Sequence, residues 1–497
     1  MTLEQNRRSE ESLIPKNVKW IQTSVAEFQP EQNKLNLNYK LAIVGGGSAG
    51  TAVASYFSRI LGSNKIVLIE PKKEHYYQPG FTLVGGGFMT LEQNRRSEES
   101  LIPKNVKWLQ TSVAKFQPEQ NKLNLNDNTT VNYDFLVIST GLKLRYDIIK
   151  GLPEALDTPG VCSIYNPKYA EKTFKEILNF SSGKAIFTFP NTPIKCPGAP
   201  QKICYIAEDY WQKHGKRNGV EITYNTTIGK IFAIFTFPNT PIKCPGAPQK
   251  ICYIAEDYWQ KHGKRNGIEI TYNTTIGKIF GVDKYAKTLA QIAKERNIKV
   301  NTRHNLIKVD SGRKIATFQI LGEDLLPTGK EEEIKYDFLH IGPPCSPIDS
   351  LMKDAEAKTG LTDAKGWVSV HPKTLQGTKF NNVFAIGDCA NTPNAKTAAA
   401  ISSQFRALKS NLKSAMENRP LTSEYDGYAS CPLVVSSNRA VLAEFNSAGP
   451  LETFPYNQAR PLWIQWLMKR YLMPFLYWKF LVKGFWNGPK TLRKILH

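Results

Sequence analysis

The sequence predicts an α/β protein with two Rossmann-like dinucleotide-binding domains (FAD/NAD(P)-binding type), followed by C-terminal membrane-associating helices. Three observations carry this reading. An apolar strand runs directly into a glycine-rich turn and a small-residue helix, "YKLAIVGGGSAGTAVASYFSRI", from Tyr39. Two further strand–turn signatures, "YDFLVISTG" and "NVFAIGDCANTPNAKTAAA", follow far downstream. The last segment, 463–497, holds nine aromatic residues and seven Lys/Arg but no acid.

The first motif places an expected strand, Leu41–Val44, before Gly45-x-Gly47-x-x-Gly50 and a helix. Glycines at that spacing allow a tight turn, close backbone approach to a pyrophosphate and close helix–strand packing. The helix N-terminus turns free N–H groups and the positive end of its dipole toward the phosphates. Twenty residues beyond Gly50, "KIVLIEP" reads as a second strand ending at Glu70, placed to accept hydrogen bonds from an adenosine ribose. The third strand ends at Thr140-Gly141, and the fourth at a Gly387-Asp388 turn that opens a small-residue helix. Segments in this order resemble the flavoprotein superfamily with two dinucleotide-binding domains. In that pattern the late Gly-Asp touches the flavin side of FAD.

A second nucleotide fingerprint is missing. The strand "GKAIFTF" at 183–189 is followed by "PNTPIKCPGAPQK", with prolines where a phosphate cradle needs glycines at positive φ. This argues against a nicotinamide substrate. A cysteine stands in its place: Cys244, with a duplicate at Cys196. Cys431 lies beyond the last FAD segment in "EYDGYASCPLVV". The thiolate is the reactive form, and a helix N-terminus with nearby lysines favours it. Two cysteines flanking a flavin suggest a redox disulfide open to a nucleophile. Buried, inert thiols are the competing interpretation of each. Cys204 and Cys252 read as packing residues, and Cys162, Cys345 and Cys389 take no role. No spacing of Cys and His suggests a metal site.

Two segments occur twice. Residues 1–38 reappear as 89–126 with two changes, and 185–232 as 233–280 with one, Val220 to Ile268. Stacked repeat arrays need several, usually divergent, copies. These near-identical pairs of unequal length read instead as recent duplication, or as two exons counted twice. The expected organisation is a duplicated extension at 1–38, loosely attached; a first FAD-binding part at 39–160; a second Rossmann-like domain at 161–345 containing the tandem duplication; a second FAD-binding part at 346–430; and a C-terminal domain at 431–497. The second copy, 233–280, runs directly into the helix "GVDKYAKTLAQIAKE", so Cys244 is the favoured working cysteine. By the same logic 89–126 is the working copy of the other pair.

The formal net charge is +22 and stays strongly positive without the repeats. Anionic membrane surfaces and anionic ligands are therefore candidate partners. Nucleic acid is disfavoured, because the basic residues are interleaved with long apolar stretches. No run of about 18 apolar residues appears, so no spanning helix is expected. The tail fits one or two helices lying in a membrane interface, Trp, Phe and Leu inserted, Lys and Arg at the headgroups. The competing interpretation is a helix packed on the domain surface. A membrane-surface tail beside a flavin points to a lipid-soluble acceptor, a quinone. The N-terminus reads as neither a signal peptide nor a transit peptide.

From Lys40 to His497 the chain resembles the eukaryotic, mitochondrial sulfide:quinone oxidoreductase family. The resemblance rests on "VGGGSAG", "EHYYQPGFTLVGGG", "FPNTPIKCPGAPQKI", "GDCANTPNAKTAAA", "YDGYASCPLV" and "LMPFLYWKFLVKGFW". It implies that Ser48 and Ala49 belong to the FAD-contacting turn, with alanine where glycine is common. Glu70 would hold the ribose, Gln78 would make a further FAD contact, and Val113 (duplicate Val25) would contact adenine through its backbone. Lys250 (duplicate Lys202) and Lys396 would lie on the flavin side. Cys244 or Cys196 would form the redox-active pair with Cys431. Sulfide would open that bridge and leave a persulfide, whose sulfur passes to glutathione or sulfite. The electrons would pass through FAD to ubiquinone near the C-terminal helices. The implied location is peripheral on the mitochondrial inner membrane. Two alternatives stay open: a type II NADH:quinone dehydrogenase, which needs the missing glycine fingerprint, and a catalytically silent membrane flavoprotein, which would not require both cysteines.

Overall fold

The computed structural model describes residues 25–29, 34–85, 87, 89–179, 182–187, 199–216, 219–224, 270–274, 282–295, 298–313, 315–324, 326–335, 338–340, 345–394, 396–436 and 438–497. The main sheet is built from Val25–Gln29 (β1), Lys34–Val44 (β2), Ile66–Ile69 (β3), Lys107–Leu109 (β6), Val113–Gln117 (β7), Lys122–Leu125 (β8) and Thr130–Ile138 (β9). Glu74–Tyr76 (β4) and Arg95–Ser97 (β5) form a separate antiparallel pair. The sheet order is β6-β3-β2-β9-β8-β7, with β1 also against β2 and Val383–Ala385 also against β9. β6, β3, β2, β9 and Val383–Ala385 are mutually parallel. All four β3 residues are buried, as expected for a parallel strand covered on both faces.

One face packs the helix Ser48–Leu61, the helix Ala398–Met416 and three tail residues, Tyr477, Leu481 and Val482. Phe57 is fully buried there, and its loss to alanine costs about 3–5 kcal/mol. The other face packs Leu351, Leu361 and Val370 against Leu37, Ala42 and Val44. Both nucleotide strands therefore end at one edge of the sheet, where ligands of doubly wound sheets bind.

A second sheet joins Val161–Cys162, Phe338–His340, Ser182–Phe187 and Gly219–Tyr224, all parallel. A separate parallel pair joins Ile270–Thr274 to Ile298–Thr302. The strands Ala429–Ser436 and Arg439–Asn446 form an antiparallel hairpin. The tail is one helical run from Trp463 to Leu481, then a turn and the helix Lys490–Leu496. Its turns widen to the π form at Met468–Leu472 and Tyr477–Leu481, either side of Pro474. Pro474 lacks an N–H, and π turns absorb the missing bond without ending the helix. Among the described residues no helix is long and apolar enough to cross a membrane.

One expectation changes. The described part of the 1–38 extension is not loose. β1 pairs antiparallel with the start of β2, and β2 begins at Lys34 rather than at Leu41. The "KLNLNYKLAIV" stretch alternates well enough to continue the strand backwards, and Leu37 is fully buried. The hairpin register, Val25↔Leu37 to Gln29↔Lys34, matches that of its duplicate, Val113↔Leu125 to Gln117↔Lys122, with a bulge at the same place. The other repeat is described mainly through its first copy. The second sheet takes two of its strands, Ser182–Phe187 and Gly219–Tyr224, and the helix Ala199–Lys213 from the first copy and its upstream junction. The natural connection from the helix Pro167–Asn179 into Ser182–Phe187 keeps those elements contiguous. Of the second copy only Ile270–Thr274 is described, and Cys244, Lys250 and Cys196 lie outside the described residues.

Candidate active site

The site begins at the glycine turn. Gly45 has φ +99°, and a side chain there would meet Ser139 O at 2.6 Å. At Gly50 a Cβ would lie 1.8 Å from Gly45 O, so strand and helix touch backbone to backbone. Gly47 faces open space, and the helix it caps carries no side-chain cap. Its first N–H groups thus point, unpartnered by a cap, at a groove any Cβ would narrow. Glu70 follows β3, and its carboxylate accepts from Gly46 N at 2.8 Å and Lys72 N at 2.9 Å. Ala49 is buried in the helix's first turn. Val113 opens β7, buried, four residues after Leu109, whose carbonyl accepts from Glu70 N. These residues fit a dinucleotide: a backbone cradle, a helix N-terminus and an acidic residue at the next strand end.

From that turn a cavity of about 280 Å³ extends beneath the C-terminal helices. Its lining brings together Ser48, Gln78, Asp388, Lys396 and Cys431 with Met468, Leu472, Leu476 and Tyr477 of the tail. Sequence positions some 430 residues apart thus share one wall. Gly387 has φ +85°, and its N–H donates to Gln404 Oε1 of the helix Ala398–Met416 at 2.9 Å, which ties the turn carrying Asp388 to that helix. Lys396 is buried. Its Nζ donates to Asp388 O at 2.6 Å and Ala390 O at 2.8 Å, and sits 4.3 Å from the Trp367 ring centroid. Burial lowers its ammonium to about 8.

Cys431 is buried on the hairpin strand and is disulfide-bonded. Cys162, Cys345 and Cys389 are buried and take part in no disulfide. Burial pushes the Cys162 thiol up to about 12 and raises that of Cys389 as well, so neither offers a thiolate near neutral pH. The Cys431 strand is held by a buried carboxylate, Glu444, on the partner strand. Its two oxygens accept from Tyr428 OH, Thr453 N (2.9 Å), Thr453 Oγ1 (2.9 Å) and Gln458 Nε2 (2.7 Å). Lys202 lies on the helix Ala199–Lys213. Ile203 beside it packs close enough that a side chain at Gly85 would meet its Cδ1 at 2.9 Å. Gly85 ends the short helix Phe81–Gly85 that follows Gln78, so the first repeat copy abuts the cavity's rim.

Sequence reading missed Glu444, Tyr428, His75, Glu98 and Tyr477 as members of the site. "EHYYQP" and "LMPFLYWKF" were visible, but only the fold brings His75 and Tyr477 within hydrogen-bond distance.

The tail also has an outer face. Tyr471, Phe475, Phe485 and Ile495 are 52–74% exposed, while Tyr477, Leu481 and Val482 are buried on the helix Ser48–Leu61 side. The tail is anchored there by Ser55 Oγ to Val482 O (2.9 Å) and Arg59 Nη1 to Lys483 O (3.1 Å).

Comparison with known proteins decides the family. The family model for pyridine nucleotide-disulphide oxidoreductases matches residues 39–178. Curated relatives named mitochondrial sulfide:quinone oxidoreductase match at 40% identity in Mus musculus and 36% in Dictyostelium discoideum, each over 93% of this chain and 90% of theirs. The chain belongs to the mitochondrial sulfide:quinone oxidoreductase family. It is an oxidoreductase whose family implies a bound flavin. The crystal structure of the sulfide:quinone oxidoreductase from Aquifex aeolicus shares the fold, with a TM-score of 0.66 at 18% identity over 92% of this chain and 94% of that one. Within the sulfide:quinone oxidoreductase family the disulfide at Cys431 and the tail-roofed cavity become the features to explain.

Proposed function

We propose that this protein oxidises hydrogen sulfide at a disulfide that includes Cys431 and delivers the electrons to ubiquinone in the tail-roofed cavity. The single observation that carries this is the cavity itself, which holds a disulfide-bonded cysteine and the C-terminal helices in one lining. FAD is the flavin the site fits, with the backbone of Gly45, Gly47, Ser48, Ala49 and Gly50 toward its phosphates, Glu70 toward its ribose, Val113 toward the adenine, and Gln78, Asp388 and Lys396 toward the ring. When bound, FAD supplies a two-electron acceptor between the cysteines and the quinone.

Hydrosulfide attacks one sulfur of the bridge. A new S–S bond forms as the old one breaks, leaving a persulfide on one cysteine and a thiolate on the other. The persulfide's outer sulfur passes to a small nucleophile, glutathione or sulfite. Lys396, below its usual pKa yet mostly cationic at pH 7, stabilises negative charge arising beside Asp388. The strands either side of Cys196, both in the second sheet, favour Cys196 over Cys244 as the partner of Cys431. The exposed aromatic face with its Lys/Arg supports peripheral attachment to a membrane, and the mitochondrial relatives support a mitochondrial location; the place proposed is the surface of the inner membrane.

The test is anaerobic. Sulfide should bleach the flavin of the purified protein, a quinone should restore it, and NADH should do neither. Cys431→Ser should abolish the bleaching. Cys196→Ser should do the same, while Cys244→Ser should leave it intact. Bleaching by NADH, or by sulfide in Cys431→Ser, would overturn the proposal.

A further inference from the structure

A buried hydrogen-bonded chain runs from the glycine turn to the cavity. His75 Nδ1 is 3.0 Å from Glu98 Oε2, and His75 Nε2 is 2.7 Å from Tyr477 OH. Tyr477 OH is 2.7 Å from Ser48 Oγ. The side chains of His75 and Glu98 are each 2% exposed, and Tyr477 is 3% exposed. Ser48 and Tyr477 both line the cavity, whereas His75 and Glu98 stand behind its wall. The chain joins three distant parts of the sequence: the glycine turn, the β4–β5 region and the tail.

We infer that Glu98, His75, Tyr477 and Ser48 form a proton relay that feeds the acceptor reduced in this cavity. The inference rests on the reading of that acceptor as a quinone. Its chemistry follows from the atoms. Reduction of a quinone to a quinol takes two electrons and two protons, and the relay accounts for one proton. Ser48 O–H donates to the reduced oxygen, Tyr477 O–H replaces that proton, and His75 Nε2–H replaces the tyrosine's. Glu98 then passes its proton to His75 Nδ1, which leaves the imidazole neutral in its other tautomer and Glu98 ionised. No electron moves along the relay. Every hop is between hydrogen-bonded heavy atoms, and the imidazole is the one side chain that can accept at one nitrogen while donating at the other.

The surroundings suit a stored proton. Burial raises the Glu98 carboxyl above its ordinary value; the His75 contact opposes that, and Glu70 reinforces it. Glu98 Oε1 has no hydrogen-bond partner and lies where a side chain at Gly46 would strike it at 2.5 Å. On the tail side His75 faces the Tyr477 and Trp478 rings, and Arg96, its register partner on β5, stacks on Trp478 at 4.9 Å. Glu74 and Arg95 pair with each other further out. An ionised, buried Glu98 is costly, which drives its reprotonation after each turnover.

Stopped-flow mixing of the sulfide-reduced full-length protein with a soluble ubiquinone analogue tests the relay, in H₂O and D₂O from pH 6 to 9. Wild type should reoxidise at a nearly pH-independent rate. Tyr477→Phe and Glu98→Gln should slow quinone-driven reoxidation about tenfold relative to the sulfide step. Their rate should also fall as pH rises, because the proton must then come from bulk water, and their solvent isotope effect should differ from that of wild type. Flavin content and melting temperature identify a variant that merely misfolds, in which case the other variant decides. Variants with the wild-type rate, pH profile and isotope effect would overturn the relay. A wild-type protein that sulfide reduces but quinone cannot reoxidise would instead overturn the quinone reading on which it rests.

Discussion

Replacing Glu444 by glutamine should destabilise the hairpin that carries Cys431. Each carboxylate oxygen accepts two hydrogen bonds from buried or half-buried donors. Tyr428 remains a donor well into alkaline solution, because burial and the nearby Glu444 carboxylate both push its phenol far up. A glutamine keeps one acceptor oxygen and turns an NH₂ toward the other two donors. Two donors then lose their acceptor without gaining water. At about 1–3 kcal/mol for each orphaned buried donor, the loss is about 2–6 kcal/mol. At about 2–4 °C per kcal/mol, the melting temperature should fall by at least about 4 °C. Because Ser430 pairs with Glu444 and Cys431 with Ala443, the disulfide should also become more open to dithiothreitol. Circular-dichroism melts and timed thiol titration read the two effects. A variant that melts within about 1 °C of wild type and resists reduction equally would show that Glu444 does not hold this strand.

Gly50→Ala places a Cβ 1.8 Å from Gly45 O and should yield protein purified without flavin, seen as loss of its visible absorbance. Lys396 is charged less readily in the folded protein, near pH 8, than in the unfolded chain, near 10.5. The unfolded state therefore binds the extra proton between those values, and this group's contribution to stability rises with pH across that window. Urea midpoints should show wild type gaining on Lys396→Met by up to about 1.4 kcal/mol per pH unit there, and parallel curves would refute it. Tyr471→Ser/Phe475→Ser/Ile495→Ser, all on the exposed tail face, should cut co-sedimentation with anionic phospholipid vesicles about tenfold while the melting temperature holds within about 1 °C. Undiminished sedimentation would place the membrane contact elsewhere.

Local signals made half of the site legible. Gly45 to Gly50, Glu70 and the Gly387–Asp388 turn follow from spacing alone, because each acts through backbone geometry next to it in sequence. Cys431 is suggested by its place beyond the last FAD segment, opposite the cysteine turn, but its membership of a redox-active pair comes from resemblance. Glu444 looked like any strand residue, since its four donors come from Tyr428, Thr453 and Gln458, gathered only when the hairpin and the loop after it close. His75 and Tyr477 are 402 positions apart and meet through tail docking, a contact no periodicity encodes. The fate of the repeats was also illegible from composition. β1 joins the sheet because an edge was there to accept it, and sequence alone does not say which edges are open.

The tandem repeat has a further consequence. The strand from the first copy pairs on one side with Ser182–Phe187, and the near-identical strand from the second copy pairs with Ile298–Thr302. A single strand between those two neighbours would use both of its edges. Here the same sequence is present twice, and among the described residues each copy pairs with one neighbour, in two separate sheets. In a chain shortened by one 48-residue unit, a single copy of that strand would be left to serve both neighbours, one on each of its edges.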